Sequence, residues 1–249
     1  MNNENFQEIH EKTKIELSFL TDKIITKKQL SKMHPYIFDK IHFKSYPRFE
    51  IIKLPKRYKK SKKLYDAIDF RYSFREFSKK YIGLQDLSDI LRFSCGINRI
   101  EEKDYNKSRR VCPSGGARYP LEIYTIINYV KDLKKGMYHY NIKAHGLEFL
   151  WKVTQKTLKN IFGEKWILRS SCIFVITGVF DRTTIKYGNR GYRYILFEAG
   201  HTAQNILLVS TSLNINSCCI GGFIDDILDN LLDISGTSEH SLYCVAIGK

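Results

Sequence analysis

Hydrophobic and polar positions alternate with a helical period in some segments and form unbroken apolar runs in others. Residues 3–20 and Leu84–Phe93 carry apolar side chains every three or four positions, which predicts helices. Leu121–Val130 and Cys172–Phe180 are apolar runs rich in β-branched and aromatic residues, which predicts buried strands. An apolar stripe from about Tyr192 to Leu213 predicts the longest helix of the chain.

The remaining predicted elements are short and complete an α+β pattern. They are a hairpin, two strands and an acidic helix, formed in turn by Gly136–Tyr140 with Leu147–Trp151, by Ser217–Ile220, by Leu242–Ile247 and by Asp225–Leu232. Helices that come first and mixed strands and helices that follow are typical of the α+β class. Residues 21–63 are irregular and predict an arm that must lie on another surface, for which a partner subunit is a natural candidate. We therefore divide the chain into an N-terminal helix and extended arm, 1–63, and a main domain, 64–249.

Composition narrows the classes of function. The formal net charge of +15 over 249 residues would suit a polyanionic partner, but lysine is spread along the whole chain. The one dense basic run, Lys53–Lys63, lacks the aromatic platform on which bases stack, so we predict no nucleic-acid partner. There is no apolar run of membrane-spanning length and no secretory signal, so we expect a cytoplasmic protein with no membrane contact.

The six cysteines show no C-x-x-C pair and fall mostly within apolar segments. Free thiols of this kind are usual in a reducing compartment, which agrees with a cytoplasmic location. Adjacent Cys218 and Cys219 cannot supply the usual spacing of a zinc site, so we predict no metal.

Two segments carry residues suited to an anionic or flat ligand. Arg71, Ser73 and Arg75 recur at spacing two, which on an extended backbone places them on one side, where two guanidinium groups could grip a phosphate. A solvated charged turn explains the same spacing equally well. The second segment, Arg110–Pro120, combines two glycines and two prolines and suits a loop that approaches a ligand with its backbone, although an ordinary turn has the same composition.

Titratable pairs occur further along the chain. Lys186 and Tyr187 adjoin Gly188 and Gly191, and consecutive residues can act together only where the backbone is irregular. The alternative interpretation is that both are surface residues of a loop. Glu198 and His201 lie one turn apart in the predicted long helix, where we interpret them as a buried structural pair, with a catalytic pair as the alternative.

These motifs, taken together and in this order, resemble the SagB-type azoline dehydrogenases, a branch of the FMN-dependent nitroreductase superfamily. The motifs that carry the resemblance are Arg71-x-Ser73-x-Arg75, Pro113–Pro120, Gly136–Tyr140, Lys186–Gly188, Gly191–Tyr194, Glu198–His201 and Gly221–Phe223. Phe43–Tyr46 and the segment from Phe6 to Lys14 also look like that branch. The resemblance covers nearly the whole chain.

The resemblance implies a nitroreductase-like fold, with a mixed, mostly antiparallel sheet flanked by helices and a homodimer that holds FMN at its interface. It assigns FMN contacts to nine residues: Arg71, Ser73 and Arg75 at the phosphate and ribityl chain, Pro113, Ser114 and Gly115 along the flavin ring and across the dimer interface, Gly221 and Gly222 near flavin N5, and Lys249 at the phosphate. Many nitroreductases have Asn and Gln after the Pro-Ser stretch, where this chain has Ala117 and Tyr119. Ordinary nitro or quinone reduction with a nicotinamide donor is therefore less favoured.

The resemblance also assigns catalysis to Lys186 and Tyr187. It implies oxidation of thiazoline or oxazoline rings to thiazole or oxazole in a ribosomally made peptide, with O2 reoxidising the flavin. A tyrosine serves as a base only as the phenolate, a form that a neighbouring lysine ammonium favours. The implied partners are the azoline-containing peptide and a cyclodehydratase (YcaO-type) complex. The alternatives are another nitroreductase-like reaction on a small molecule or peptide and a scaffold or docking subunit of a peptide-modifying complex.

Overall fold

The computed structural model describes residues 4–14, 43–56, 58, 60–102 and 107–249. Its centre is a seven-stranded sheet in which every neighbouring pair of strands is antiparallel, in the order β1-β6-β5-β4-β7-β9-β8. The strands are β1 (Ile51–Lys53), β2 (Ile97–Arg99), β3 (Arg109–Arg110), β4 (Leu121–Ile127), β5 (Gly136–Asn141), β6 (Gly146–Trp151), β7 (Cys172–Val179), β8 (Asn216–Ile220) and β9 (Glu239–Gly248). The short strands β2 and β3 form a separate antiparallel pair. Parallel pairing is limited to two isolated bridges among the described residues, one of them between Ser73 and Ser217, so the pairing as a whole is mixed and mostly antiparallel.

Helices cover both faces of this sheet. They are α1 (Glu4–Lys12), α2 (Leu64–Asp69), α3 (Leu84–Cys95), α4 (Gln155–Phe162), α5 (Asp181–Tyr187), α6 (Arg190–Ser212) and α7 (Asp225–Leu232). The helices α3 and α6 bury residues such as Leu87, Ile90 and Ile206 against one face of the sheet. The helices α4 and α7 bury Leu158, Ile161 and Leu228 against the other face.

The buried strands and the long helix form where the apolar pattern predicts them, and the predicted α+β class is confirmed. The pattern did not identify α4, although Thr154 accepts a hydrogen bond from the Thr157 backbone N–H as an N-cap (3.1 Å) and Leu158, Ile161 and Phe162 have helical spacing. The helix predicted over 3–20 is seen as α1, and its part beyond residue 14 lies outside the described residues. In the described ranges, no helix is both long and apolar enough to cross a bilayer.

The arm that was expected to lie on a partner lies, in its described part, on its own chain. Strand β1 extends the sheet by pairing with β6. Lys44 reaches the buried start of β9, where its ammonium is 2.6 Å from the Glu239 carboxylate and donates to the Tyr124 hydroxyl at 2.6 Å. The Tyr46 hydroxyl joins the same group, 3.0 Å from that of Tyr124. A half-buried ion pair with several partners therefore fixes this part of the arm to the main domain.

All six cysteines are free thiols, as predicted. Five of them are buried, and Cys219 is half-buried.

Candidate active site

The candidate residues fall into two groups, one beside the first half of α6 and the other along β8 and the segments next to it. We call the first group the loop site; it consists of Pro113–Gly116, Lys186, Tyr187, Tyr194 and Glu198. We call the second group the strand-edge site; it consists of Arg71, Ser73, Arg75, Gly221, Gly222 and Lys249. Tyr194 lies near the start of α6, whereas Phe70 and Tyr72 line a cavity together with Thr211 just before the helix ends.

The loop of the first site has an unusual backbone. Gly116 has φ +60°, and Ala117 and Tyr119 also have positive φ angles, of 54° and 49°. Such angles are costly for residues with a Cβ atom and persist only where the surroundings impose them. The Tyr119 backbone N–H donates to the Ser114 Oγ at 2.8 Å, which closes the loop on itself.

The loop packs directly on the predicted catalytic pair. A Cβ atom on Gly116 would overlap the Tyr187 hydroxyl and lie 3.0 Å from the Lys186 Nζ. A Cβ atom on Gly115 would lie 3.2 Å from the Tyr194 ring, which meets the Tyr187 ring edge-on at a centroid distance of 5.0 Å. Space for a side chain is therefore tight at both glycines, and Gly116 is also favoured by its φ angle.

Lys186 and Tyr187 do not lie on irregular backbone, and this prediction was wrong. They form the last turn of α5, which ends at Gly188 with φ 54°. Adjacent helical residues diverge at their Cβ atoms, but the lysine side chain is long enough to bring its Nζ within 5.4 Å of the Tyr187 ring centroid. The two polar ends meet at Gly116 because the loop lies beside this helix end.

Arg182 fixes α5 to the loop one turn before the pair. Its guanidinium is 2.6 Å from the Glu122 carboxylate and donates to the Tyr119 carbonyl at 3.3 Å. The Arg182 carbonyl accepts from the Arg118 Nε at 2.7 Å. Burial alone would raise the pKa of Glu122, but Arg182, His139 and the other nearby cations outweigh it and lower the pKa to about 2. Glu122 is therefore ionised at neutral pH and holds α5 in place.

Glu198 and His201 are not a buried pair, and this interpretation was also wrong. Glu198 is buried at 4% exposure, whereas His201 is exposed. Burial raises the pKa of Glu198 to about 7, although the Ser114 hydroxyl and more distant arginines act in the opposite direction. A carboxyl group that titrates near neutral pH thus lies against the loop.

At the strand-edge site, the segment that holds Arg71, Ser73 and Arg75 lies beside β8. Ser73 forms a parallel bridge with Ser217 of β8. The Arg75 guanidinium lies over the Trp166 ring at 5.9 Å. Neither Arg71 nor Arg75 forms an ion pair within the described part of the chain, and two cations without anionic partners favour an anionic ligand.

Backbone from two other segments completes this open site. The Lys249 carbonyl accepts from the Ser78 N–H at 2.7 Å, which places the residue beside the segment that follows Arg75. A Cβ atom on Gly222 would meet no other described atom within 4 Å, and one on Gly221 only the Tyr243 ring at 3.9 Å. Arginines without an ion pair and glycine backbone with open space beside it are the kinds of group that bind a flat phosphate ester such as FMN.

Sequence reasoning missed several residues of the loop site. Arg182 and Tyr194 were not identified as site residues, and Glu198 was interpreted first as half of a buried structural pair. The pair Glu122 and Arg182 is separated by 60 positions in the chain, so nothing in the local pattern joins them. Tyr194 and Glu198 could have been found, because they lie one helical turn apart on a single face of α6.

Comparison with known proteins identifies the family. A model of the Nitroreductase family matches residues 68–249. The putative nitroreductase MJ1384 of Methanocaldococcus jannaschii is 32% identical over 193 residues, which are 75% of this chain and 91% of that protein.

Two further relatives carry names that refer to peptide products. The trifolitoxin-processing protein TfxB of Rhizobium leguminosarum bv. trifolii is 27% identical over 57% of this chain and 40% of its own length. The microcin B17-processing protein McbC of Escherichia coli is 26% identical over 55% of this chain and 53% of its own length. This chain therefore aligns with only about half of each of these two proteins.

Solved structures share the fold. A putative nitroreductase from Anabaena variabilis superposes with a TM-score of 0.75 and 25% identity over 97% of this chain and 45% of that one. The E. coli microcin synthetase McbBCD complex, with truncated pro-MccB17 bound, contains a chain that superposes with a TM-score of 0.61 and 20% identity over 97% of this chain and 86% of that one. The match over most of the main domain, together with the shared fold, shows that the chain belongs to the Nitroreductase family and is a nitroreductase-like flavin oxidoreductase.

Proposed function

We propose that this protein is an FMN-dependent azoline dehydrogenase that converts thiazoline or oxazoline rings of a ribosomally made peptide into thiazole or oxazole. The observation that carries the proposal is the meeting of the Lys186 ammonium and the Tyr187 hydroxyl at Gly116. The names of the relatives TfxB and McbC, which refer to peptide processing, support a peptide substrate.

In this proposal the strand-edge site holds FMN. Arg71 and Arg75 bind the phosphate, the Ser73 hydroxyl adds a hydrogen bond, and Lys249 adds positive charge nearby. Gly221 and Gly222 offer backbone N–H groups to the ring without a side chain in the way. When bound, FMN supplies the acceptor for the two electrons and the hydrogen that leave the substrate ring as hydride.

Residues of this chain accept the proton that leaves the substrate. Aromatisation removes a proton from the former Cα atom and a hydride from the neighbouring ring carbon, and a C=C bond forms between the two carbons. Tyr187 accepts the proton at its phenolate oxygen, and the Lys186 ammonium stabilises that phenolate. Gly115 and Gly116 present backbone rather than side chains to the flavin ring. A side chain at either position would displace Tyr194 or Tyr187.

The placement of the two sites supports a homodimer. From Tyr194 to Ser212, α6 covers about 27 Å at the rise of an α-helix. A twofold axis through the middle of α6 would bring the loop site of one protomer beside the strand-edge site of the other. Large apolar side chains on and beside α2 and α6 are exposed and suit such an interface: Leu64, Tyr65, Ile68, Phe70, Leu196 and Phe197.

Two variants test the proposed roles. Tyr187→Phe and Lys186→Ala are expected to keep bound yellow FMN and to lose azole formation, which mass spectrometry detects as a missing loss of two hydrogens per ring. Tyr81→Phe and Lys165→Ala, which change exposed residues outside both sites, are the matched controls and should retain activity. Normal azoline oxidation by both site variants would refute the assignment.

A second candidate function is nitroreductase-like reduction of another small molecule or peptide. The identity to the putative nitroreductase MJ1384, which extends over 91% of that protein, favours it. Rapid bleaching of the bound flavin by a nicotinamide donor, without azoline oxidation, would establish this second function. A purified protein that cannot take up FMN at all would instead favour a scaffold or docking subunit.

We also propose that the enzyme works with a cyclodehydratase (YcaO-type), because azoline rings must form before they are oxidised. The fold shared with a chain of the McbBCD complex supports such an assembly. Co-purification of this protein with a cyclodehydratase that forms the ring is the measurement, and azole formation at the full rate from free azoline peptide alone would show that the complex is dispensable.

A further inference from the structure

Four ionisable side chains form a continuous row from β6, across β5 and β4, to α5. His139 lies directly opposite Glu148 in the strand pairing, and its Nδ1 is 2.7 Å from the Glu148 Oε2. The His139 Nε2 is 3.2 Å from the Glu122 Oε2, and the other oxygen of Glu122, Oε1, is 2.6 Å from the Arg182 guanidinium. At most 9% of any of these side chains is exposed. We call these four residues the charged row.

The geometry of the row determines the charge of His139. Glu122 has a pKa of about 2, and although burial alone would raise the pKa of Glu148, hydrogen bonds from His139 and Asn141 lower it. Both carboxyl groups are therefore ionised at neutral pH, and an ionised carboxylate only accepts hydrogen bonds. A neutral imidazole has one N–H and could donate to one of them. Both contacts are hydrogen bonds only if His139 is an imidazolium with a proton on each nitrogen.

A second buried histidine in the same hairpin shows the contrast. The His145 Nδ1 is 2.7 Å from the Tyr140 hydroxyl, and its Nε2 is 3.0 Å from the Ser88 Oγ. Ser88 donates to the Pro55 carbonyl at 2.6 Å, so its oxygen can accept from the His145 Nε2 while the Tyr140 hydroxyl donates to Nδ1. A neutral ring satisfies both contacts, and burial lowers the pKa of His145. His139 differs because both of its partners are acceptors only.

The other groups beside His139 do not compete for its proton. The Tyr46 and Tyr124 rings lie at centroid distances of 5.1 and 5.2 Å from the imidazole, and burial raises the pKa of Tyr124 far above neutral pH. Lys44 from the arm and Glu239 from β9 pair with each other at 2.6 Å. Burial alone would lower the pKa of His139, but the hydrogen bonds and charges of the two glutamates of the row outweigh it and raise the pKa.

The row ends on the residue that holds α5 against the loop. Arg182 donates to the Tyr119 carbonyl, and its own carbonyl accepts from the Arg118 Nε. Glu122 gives one carboxylate oxygen to Arg182 and the other to His139. We propose that His139 is a positioning residue, which as a buried imidazolium fixes Glu122 and, through it, Arg182. Removing one member of a buried ionic group leaves the others uncompensated, so the whole row depends on this charge.

The inference deepens the proposed function and rests on it for its catalytic meaning. Helix α5 continues from Arg182 to Lys186 and Tyr187, which meet at Gly116. A displaced Arg182 would let this end of the helix move, and a misplacement of about 1 Å can cost roughly 100-fold in rate. The protonation of His139 and the position of Tyr187 can both be measured without flavin or peptide. Failure of the inference and failure of the proposed function are therefore distinguishable.

The first test is the protonation state of the His139 ring, read from its nitrogen-15 resonances by NMR. An unperturbed histidine titrates at about pH 6.5, and we expect His139 to keep a proton on each nitrogen to about pH 8. His145 should carry one proton at neutral pH, and the exposed His201 serves as the reference in the same spectra. A His139 ring that loses a proton together with His201 would overturn the inference.

The second test is the contact between Tyr187 and Gly116, measured as the nuclear Overhauser effect between the tyrosine ring and the glycine Hα. The Tyr187 Cζ is 3.3 Å from the place that a Cβ atom on Gly116 would occupy, so the wild-type chain should give a strong signal. His139→Gln removes the charge and one of the two donors, and most of the signal should be lost. His145→Gln removes two hydrogen bonds of a buried histidine outside the row, and as the matched control it should keep the signal.

Glu122→Gln keeps the test decisive if His139→Gln does not fold. It has nearly the wild-type shape but no charge, so the Tyr187 signal should fall and the pKa of His139 should drop. An undiminished signal in whichever variant folds would overturn the inference.

Activity supplies the last measurement. In azole formation, His139→Gln should lower kcat at least about tenfold and leave the dissociation constant for FMN unchanged. An unchanged kcat would overturn the positioning role. A wild-type chain that forms no azole would instead refute the proposed function, and the two NMR tests would still decide the role of His139.

Discussion

The loop site and the strand-edge site differ in what completes them. At the loop site, polar groups contact other groups of the chain: the Lys186 ammonium lies over the Tyr187 ring, the Ser114 Oγ accepts from the Tyr119 N–H, and Arg182 beside them pairs with Glu122. At the strand-edge site, Arg71 and Arg75 form no ion pair with any described residue, and Gly222 borders open space among the described atoms. Contacts within the chain hold the first site, whereas the arginines of the second have no anionic partner among the described residues.

This difference indicates that the loop site holds its groups in position, whereas the strand-edge site has the features of a binding site. The loop site has strained backbone and buried charge, which cost stability and are usual where reacting groups must be held in place. The strand-edge site costs little folding free energy without a ligand. Neither of its arginines is buried, and neither Gly221 nor Gly222 has a positive φ angle. Substitutions at the loop site should therefore affect folding, and those at the strand-edge site should affect ligand affinity.

The largest expected effect belongs to the strand-edge site. The double variant Arg71→Ala/Arg75→Ala removes two charge-assisted hydrogen bonds to phosphate, each worth about 1.5–3 kcal/mol. The dissociation constant for FMN, measured by fluorescence quenching, should rise at least about 100-fold. The melting temperature of the flavin-free protein should not change. Lys165→Ala is the control for loss of positive charge, and undiminished FMN affinity in the double variant would show that the phosphate lies elsewhere.

The next effect concerns the buried carboxyl of the loop site. The pKa of Glu198 rises from 4.5 to about 7 on folding, so the folded state binds its proton more tightly, and stability falls as pH rises from 4.5 through about 7. Glu198→Gln should therefore increase the free energy of unfolding above neutral pH, by at most about 3 kcal/mol, and change it little below pH 4.5. Urea unfolding at both pH values measures the difference, and an equal effect at the two would contradict a raised pKa.

The smallest effect compares one glycine from each site. Gly116→Ala adds a Cβ atom at φ +60° that overlaps Tyr187, and we expect it to destabilise the fold by about 1–3 kcal/mol. Gly222→Ala adds the same atom in open space, and we expect a change within about 0.5 kcal/mol. Thermal unfolding of both variants checks the contrast. Equal destabilisation would mean that the two sites do not differ in packing.

Much of the fold could be predicted from local pattern. The apolar runs of β4 and β7 and the stripe of α6 each specify an element by themselves, because period and residue type are local properties. Strand β1 could not be found in this way, since Ile51–Lys53 becomes a strand only by pairing with β6, about 95 residues further along the chain.

The candidate site residues also differ in how far the local sequence could predict them. The spacing of Arg71, Ser73 and Arg75 would place the three side chains on one side of an extended backbone, and the structure pairs Ser73 with Ser217 in a β-bridge. The position of Lys186 and Tyr187 was predicted on the wrong backbone, because sequence cannot show that a loop 70 residues earlier lies beside the end of α5. The roles of these residues remain predictions for the experiments above.

The sequence by itself determined the long buried strands and helices, the family resemblance and the residue types that suit phosphate and proton chemistry. Only the tertiary structure decided which of these residues meet. It placed Gly116 against Lys186 and Tyr187, buried Glu198 while leaving His201 exposed, and left the strand-edge arginines without an ion pair among the described residues. The physical reason is that periodicity is fixed by neighbours in the chain, whereas burial, charge pairing and pKa depend on groups that are distant in sequence and adjacent in space.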